Sequence, residues 1–232
     1  MSRALKFSIV ALSFFLSFTA LDLMPPIYHH PSFLNAACRT LVIDLPGVLQ
    51  EPIGGDEVVI LKKLGIDDFR VLGASKADII IYVGHGLEAN ASGLFISLGD
   101  YAIETSKPYS IYAGLMHLGL SSLGAIGRGY IPFYGEELVV VTSNIMRFSL
   151  PFKDKVFVLI TCGSEKAVKF AEAILRSGAK LVAFRGRHEL IDACWASHVV
   201  RELLAAQDLG ELKLLLEGYG FAILERDEEL FR

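Results

Sequence analysis

The chain has 232 residues, an apolar fraction of 53% and a formal net charge of −4. That length can bury one sizeable core, or two small ones. There is no block rich in Lys and Arg and no basic stripe interleaved with aromatics, which argues against nucleic acid as a partner. The three cysteines, Cys38, Cys162 and Cys194, include no CxxC pair. A cysteine-built zinc site is therefore disfavoured, and the number is odd and too small for a disulfide-stapled scaffold. Pairing of Cys38 with Cys194 stays open; it would leave Cys162 as a thiol.

Arg3 and Lys6 open the chain, and residues 7–21 carry no charge. Residues 1–24 thus read as a signal peptide or a short signal anchor. The apolar run extends through Leu23 and Met24 to Pro25-Pro26, approaching the roughly 20 residues a full span needs. Small residues at cleavage spacing are poor: Ala20 is preceded at the critical position by Phe18. An uncleaved anchor, with the membrane as a partner, is the favoured reading; a buried amino-terminal helix is the bland alternative. Either export reading places the rest of the chain outside the cytoplasm, because the positive end stays inside.

Residues 25–38 read as a linker, rich in proline at its start. His29 and His30 lie there with no carboxylate or cysteine at ligand spacing, so no metal site is expected. The first strand is expected at 39–45, followed by a loop over 46–55. Residues 57–64 are expected to be helical, with Gly65 as the stop. A strand follows at 78–83. Residues 94–98 and 101–103 flank Gly99-Asp100 and suggest an accessory hairpin. Residues 112–126 are apolar and glycine-rich, a loose helix or mobile loop, since each helical glycine costs about 1 kcal/mol relative to alanine. Strands are expected at 138–142 and 156–161. Ser164 is placed to cap a helix over 165–176, closed by Gly178. A strand at 180–184 follows, then a helix over 193–205 capped by Asp192, a helix over 209–216 and a strand at 221–225 that can lie at a sheet edge. Strand and helix in alternation imply an α/β domain whose parallel sheet has helices on its faces.

Two strand ends carry the chemistry. Residues 78–83 run into Gly84-His85-Gly86, and residues 156–161 run into Cys162-Gly163-Ser164. Each run is uninterrupted and apolar, as in a strand buried on both faces. In open parallel sheets, sites form beyond the carboxyl ends of the strands. A histidine at one end and a cysteine at another can form a thiolate–imidazole pair. A free thiol with a pKa of about 8.5 holds little thiolate at neutral pH. His85 would act as base, and a helix starting just after Cys162 would favour the anion. The oxyanion needs backbone donors, which Gly86 and Cys162 can supply. Gly84 and Gly86 would leave room for a substrate chain beside His85. Taken alone, a strand-end cysteine is more often a small apolar residue and a turn histidine merely a turn residue. Among the other candidates, His188 is a rival base. His117 and His198 are expected to be packing residues, and Trp195 and Phe184 core. The glycine turn at His85 lacks the spacing and lysine of a phosphate loop.

Tyr82-Val83-Gly84-His85-Gly86 resembles the strand and His-Gly motif of the caspase-like (clan CD) cysteine peptidases, a group that includes caspases, legumains, gingipains, clostripains, separases and CHAT domains. Leu159-Ile160-Thr161-Cys162-Gly163-Ser164 resembles the strand and nucleophile that follow in the same order. Residues 167–184 resemble the CHAT-type helix that leads through a Gly-Ala turn into the next strand. The resemblance spans residues 41–44 and 77–204. It implies a three-layer caspase-like fold, a mostly parallel sheet with helices on both faces, over residues 39–232 with an insert at about 87–135. It implies a cysteine endopeptidase acting on peptides or proteins without metal or organic cofactor, with His85 and Cys162 as dyad and Gly86 and Cys162 as oxyanion donors. Thr161 departs from the pattern, since a small residue is common before the nucleophile. The loop at 185–192 is expected to border the pocket for the side chain before the scissile bond. Arg185 and Arg187 there suit an acidic side chain, and Glu189 and Asp192 a basic one; both specificities stay open. Two other readings stand beside the peptidase. One is an inactive caspase-like module that binds peptides or partners at the cell surface. The other is a small α/β hydrolase or binding protein whose histidine and cysteine never meet.

Overall fold

The computed structural model describes residues 16, 23–24, 31–49, 57–88, 101–108, 117–131, 136–162, 164–185 and 192–226. In chain order the elements are β1 Thr40–Asp44, β2 Val58–Leu61, α1 Ile66–Val71, β3 Ile79–Gly84, β4 Gly86–Glu88, β5 Tyr101–Pro108, α2 Leu118–Ser122, β6 Ile126–Ile131, β7 Glu136–Thr142, β8 Val156–Thr161, α3 Val168–Arg176, β9 Leu181–Arg185, α4 Ala193–Ala205, α5 Leu209–Gly218 and β10 Phe221–Glu225.

Six strands form one sheet in the order β10-β9-β8-β3-β1-β2. All neighbours are parallel except β10, which returns antiparallel along β9 at the edge. Alternate residues feed two cores, as the strand period of two requires. Ile80, Tyr82, Phe157, Leu159, Val182 and Phe184 pack with Phe69 of α1 and with Phe170 and Ile174 of α3. Ile81, Val83, Val158, Ile160, Leu181 and Ala183 pack with Val199, Val200 and Leu203 of α4 and with Leu212 and Leu216 of α5. Burial on both faces is why these strands read as unbroken apolar runs rather than alternating ones.

A second, antiparallel sheet has the order β4-β5-β7-β6. Tyr101, Ile103, Ile126, Val139 and Val141 fasten it to the first core cluster. The chain passes from β3 of the first sheet to β4 of the second with only His85 between them.

The amino ends of β3 and β8 are pinned together. Lys155, just before β8, is buried and donates from Nζ to the carbonyls of Ser75 and Ala77, each at 2.7 Å. The Val156 N–H bonds the Asp78 carbonyl at 2.9 Å. Burial pulls the lysine pKa down, an effect partly opposed by Asp78 and Cys38. A slip of one residue would turn every β8 side chain to the wrong face, so this clamp sits where register is most tightly constrained.

Several expectations are corrected. Residues 57–64 are not helical: Val58–Leu61 form β2, paired parallel to β1 with Thr40 opposite Val58. The run is β-branched, and an open edge of β1 is available to it. Gly65 does not stop a helix but precedes α1, its N–H bonding Asp68 Oδ2 at 2.7 Å. Ser164 does not cap α3; a 3-10 turn over Ser164–Ala167 intervenes, and Ala167 holds the cap position without a side-chain bond. Of the expected hairpin, residues 94–98 lie outside the described residues, and 101–103 belong to β5, which pairs with β4 and β7. In the stretch 112–126, residues 117–126 hold α2 and a turn at Gly124 with φ +66°. The linker expected over 25–38 is built into the domain at its carboxyl end, since Phe33 and Cys38 are buried in the first core cluster. The helices after Asp192 and the edge strand β10 stand where the sequence places them. Most of the leader lies outside the described residues; among those described, no helix is long and apolar enough to cross a membrane.

Phe170 bridges the layers: its ring lies 6.4 Å from that of Phe69 and 6.1 Å from that of Tyr101 on the second sheet. It is fully buried. Phe170→Ala is expected to destabilise the domain by about 3–5 kcal/mol, read from the urea midpoint. A loss under about 1 kcal/mol would mean that the layers do not depend on this contact.

Candidate active site

The sheet order reverses direction between β1 and β3: the chain moves outward to β2 on one side and to β8, β9 and β10 on the other. Such switch points open a crevice beyond the carboxyl ends of the strands. His85 follows directly from β3 at this crevice. The β3–β8 register ends on Gly84 opposite Thr161. His85 and Cys162 are therefore the next residues on neighbouring strands, which run about 4.8 Å apart. The insert does not separate them, because its described strands pair into the second sheet.

A second contact fixes this proximity. A Cβ at Gly86 would run into the carbonyl oxygen of Cys162 and the hydroxyl of Tyr101. Glycine is required here by close approach of two backbones, beyond any room left for substrate. A Cβ at Gly84 would lie 2.6 Å from the Tyr82 hydroxyl. Thr161 bonds the Tyr101 hydroxyl through its Oγ1 and so ties β8 to the second sheet.

Glu104 of β5 organises the crossing. Its N–H bonds the His85 carbonyl at 3.2 Å. Its Oε1 accepts the His85 N–H at 3.0 Å. Its carbonyl accepts the Tyr82 hydroxyl at 2.9 Å. The first of these bonds makes His85 and Glu104 a hydrogen-bonded position of the ladder. Gly86, opposite Ile103, is then a non-hydrogen-bonded position, with its N–H pointing away from β5.

Burial sets the electrostatics. It pushes the His85 pKa below its ordinary value, which leaves the imidazole neutral and able to take a proton. It pushes the Glu104 carboxyl up to about 7, against the lowering effect of the His85 N–H. Tyr82 is held well above its usual range, chiefly by burial and then by Glu104 and Tyr101. A neutral imidazole is the form that can accept a proton, and Cys162, half-buried, follows the strand paired with that of His85.

The remaining candidates separate. Arg185 ends β9 with its guanidinium 4.2 Å above the Trp195 ring. Asp192 caps α4, its Oδ1 accepting from Cys194 N at 2.6 Å and Trp195 N at 3.3 Å. Arg187, His188 and Glu189 lie outside the described residues, as do His29 and His30. His117 is buried, as expected, whereas His198 is exposed and its Nε2 meets the Tyr219 hydroxyl at 3.0 Å. Phe184 is core, but Trp195 is only half-buried and stacks on Phe221 at 6.3 Å. Cys38, Cys162 and Cys194 are all thiols, so no bridge joins Cys38 to Cys194. Among the described residues, no group of three or more His, Cys, Asp or Glu converges at metal-binding distance.

Sequence reasoning missed Glu104, Tyr101 and Asp44. The Asp44 carboxylate is fully buried at the end of β1. It accepts from Val48 N and Leu49 N, each at 3.0 Å, and from Lys62 Nζ at 2.8 Å, anchoring the 45–49 loop at the end of β1. The available signal was an acid set among apolar strand residues: Ile43-Asp44 in one case, Ile103-Glu104 in the other. No protein-family model matches the chain, and no curated protein matches it in sequence.

Glu104 makes a pH prediction. Its carboxyl ionises near its ordinary 4.5 when unfolded and at about 7 when folded, so the folded state holds the extra proton between those values. Its contribution to stability is fully present below about pH 4.5 and is lost as pH rises through 7. The urea midpoint of wild type should therefore fall relative to that of Glu104→Gln between pH 5 and pH 8. An unchanged difference between the two proteins would show that burial does not govern this carboxyl.

Proposed function

We propose that the chain is a caspase-like cysteine endopeptidase, exported or membrane-anchored, that cleaves peptide bonds through Cys162 and His85. The observation that carries this reading is the β3–β8 register, which makes His85 and Cys162 consecutive neighbours at the carboxyl ends of adjacent parallel strands. The mostly parallel sheet with helices on both faces is consistent with the family resemblance. The basic start and uncharged run of the leader support export.

In the proposed reaction His85 takes the thiol proton, and the Cys162 sulfur attacks the peptide carbonyl carbon. The oxyanion accepts from the N–H groups of Gly86 and Cys162. As the C–N bond breaks, the imidazolium gives its proton to the leaving amine. His85 then draws a proton from water, whose oxygen attacks the thioester; the acid product leaves and the thiol is restored. The side chain preferred before the cut is read from a peptide library varied at that position.

The test is labelling of the domain, without its leader, by an activity-directed thiol probe. Wild type should label at Cys162, and Cys162→Ala should not. His85→Ala should slow labelling by about 100-fold, at the low end of what a general base contributes. Labelling that persists unchanged in Cys162→Ala sinks the enzyme reading. A chain that binds peptides yet never labels is the inactive module instead.

A further inference from the structure

Glu104 is a buried acid, 4% exposed, in the middle of a strand. A carboxyl in such a place is costly unless its bonds require it. Two of its three bonds go to His85, one to each of the histidine's peptide groups. In an unbroken antiparallel ladder the His85 N–H would be accepted by the Glu104 carbonyl. Here that carbonyl is taken by the Tyr82 hydroxyl, and the Glu104 side chain reaches back to accept the N–H in its place. The substitution occurs at the one residue between β3 and β4, where the chain leaves one sheet for the other.

We propose that Glu104 is a positioning residue for His85, holding both of its peptide groups so that the imidazole stays beside Cys162, with Tyr82 fixing Glu104 in turn. This rests on the reading of His85 and Cys162 as a dyad. Glu104 touches no reacting atom; it acts through the backbone of the histidine. Only a side chain with an acceptor and the reach of glutamate or glutamine can fill this role. The titratable residues that bond it are His85, through its backbone, and Tyr82.

The experiment measures alkylation of Cys162 by iodoacetamide against pH in the full chain, followed by peptide mass spectrometry so that Cys38 and Cys194 are scored separately. His85→Ala should raise the apparent Cys162 pKa. Glu104→Ala should raise it toward the same value by at least about half a unit, roughly a threefold loss of thiolate at neutral pH. Glu104→Gln, whose amide oxygen accepts the same bond, should fall between wild type and Glu104→Ala. Tyr82→Phe should give a smaller shift in the same direction. If Glu104→Ala does not fold, by near-UV circular dichroism, Glu104→Gln and Tyr82→Phe decide: a shift in either supports the role. If His85→Ala superimposes on wild type, the dyad reading falls. If His85→Ala shifts the profile but every folded Glu104 and Tyr82 variant superimposes on wild type, the positioning role is overturned and the dyad stands.

Discussion

The structure depends on one crossing. The chain leaves a parallel sheet at Gly84 and enters an antiparallel sheet at Gly86, and the His85 N–H between them is met by a side chain instead of a ladder carbonyl. A buried backbone donor without an acceptor costs about 1–3 kcal/mol. Glu104 removes that cost by bonding both peptide groups of His85, and Tyr82 and Tyr101 lock the surroundings. The same demand for satisfied backbone bonds thus holds a histidine, through both its N–H and its carbonyl, at the carboxyl end of β3.

The opposite ends of the same strands matter as much. Lys155 and the Val156–Asp78 bond set the register of β8 against β3 at their amino ends. Six residue pairs later that register brings Thr161 opposite Gly84 and makes Cys162 the neighbour of His85. A strand is stiff along its length, so a constraint at one end determines which side chains meet at the other. The site is in this sense built by the core rather than by its loops. Where loops contribute, they do so through buried anchors, as the 45–49 loop does on Asp44.

Other residues near the two strand ends also have physical reasons for their identity. Thr161 stands before the cysteine because its hydroxyl meets that of Tyr101, a partner supplied by the second sheet. Gly86 is needed because the Cys162 carbonyl and Tyr101 occupy the space a side chain would take. Two of the charged residues read as candidate specificity determinants have structural partners: Arg185 lies over Trp195, and Asp192 caps α4.

What the sequence determined by itself was local and periodic. The uninterrupted runs before His85 and Cys162 marked strands buried on both faces, and Asp192 marked the start of α4, because burial and capping leave their imprint within a few residues. The two reactive side chains were legible for the same reason, each at the end of such a run. Tertiary structure alone decided the rest. Val58–Leu61 is β-branched but too short for that to separate a helix from a strand, and the edge of β1 made it a strand. Glu104 and Asp44 read as ordinary acids until the fold buried them. The register that puts the ends of β3 and β8 side by side was set by hydrogen bonding across a long insert, and register is a property of two strands together that neither run encodes alone.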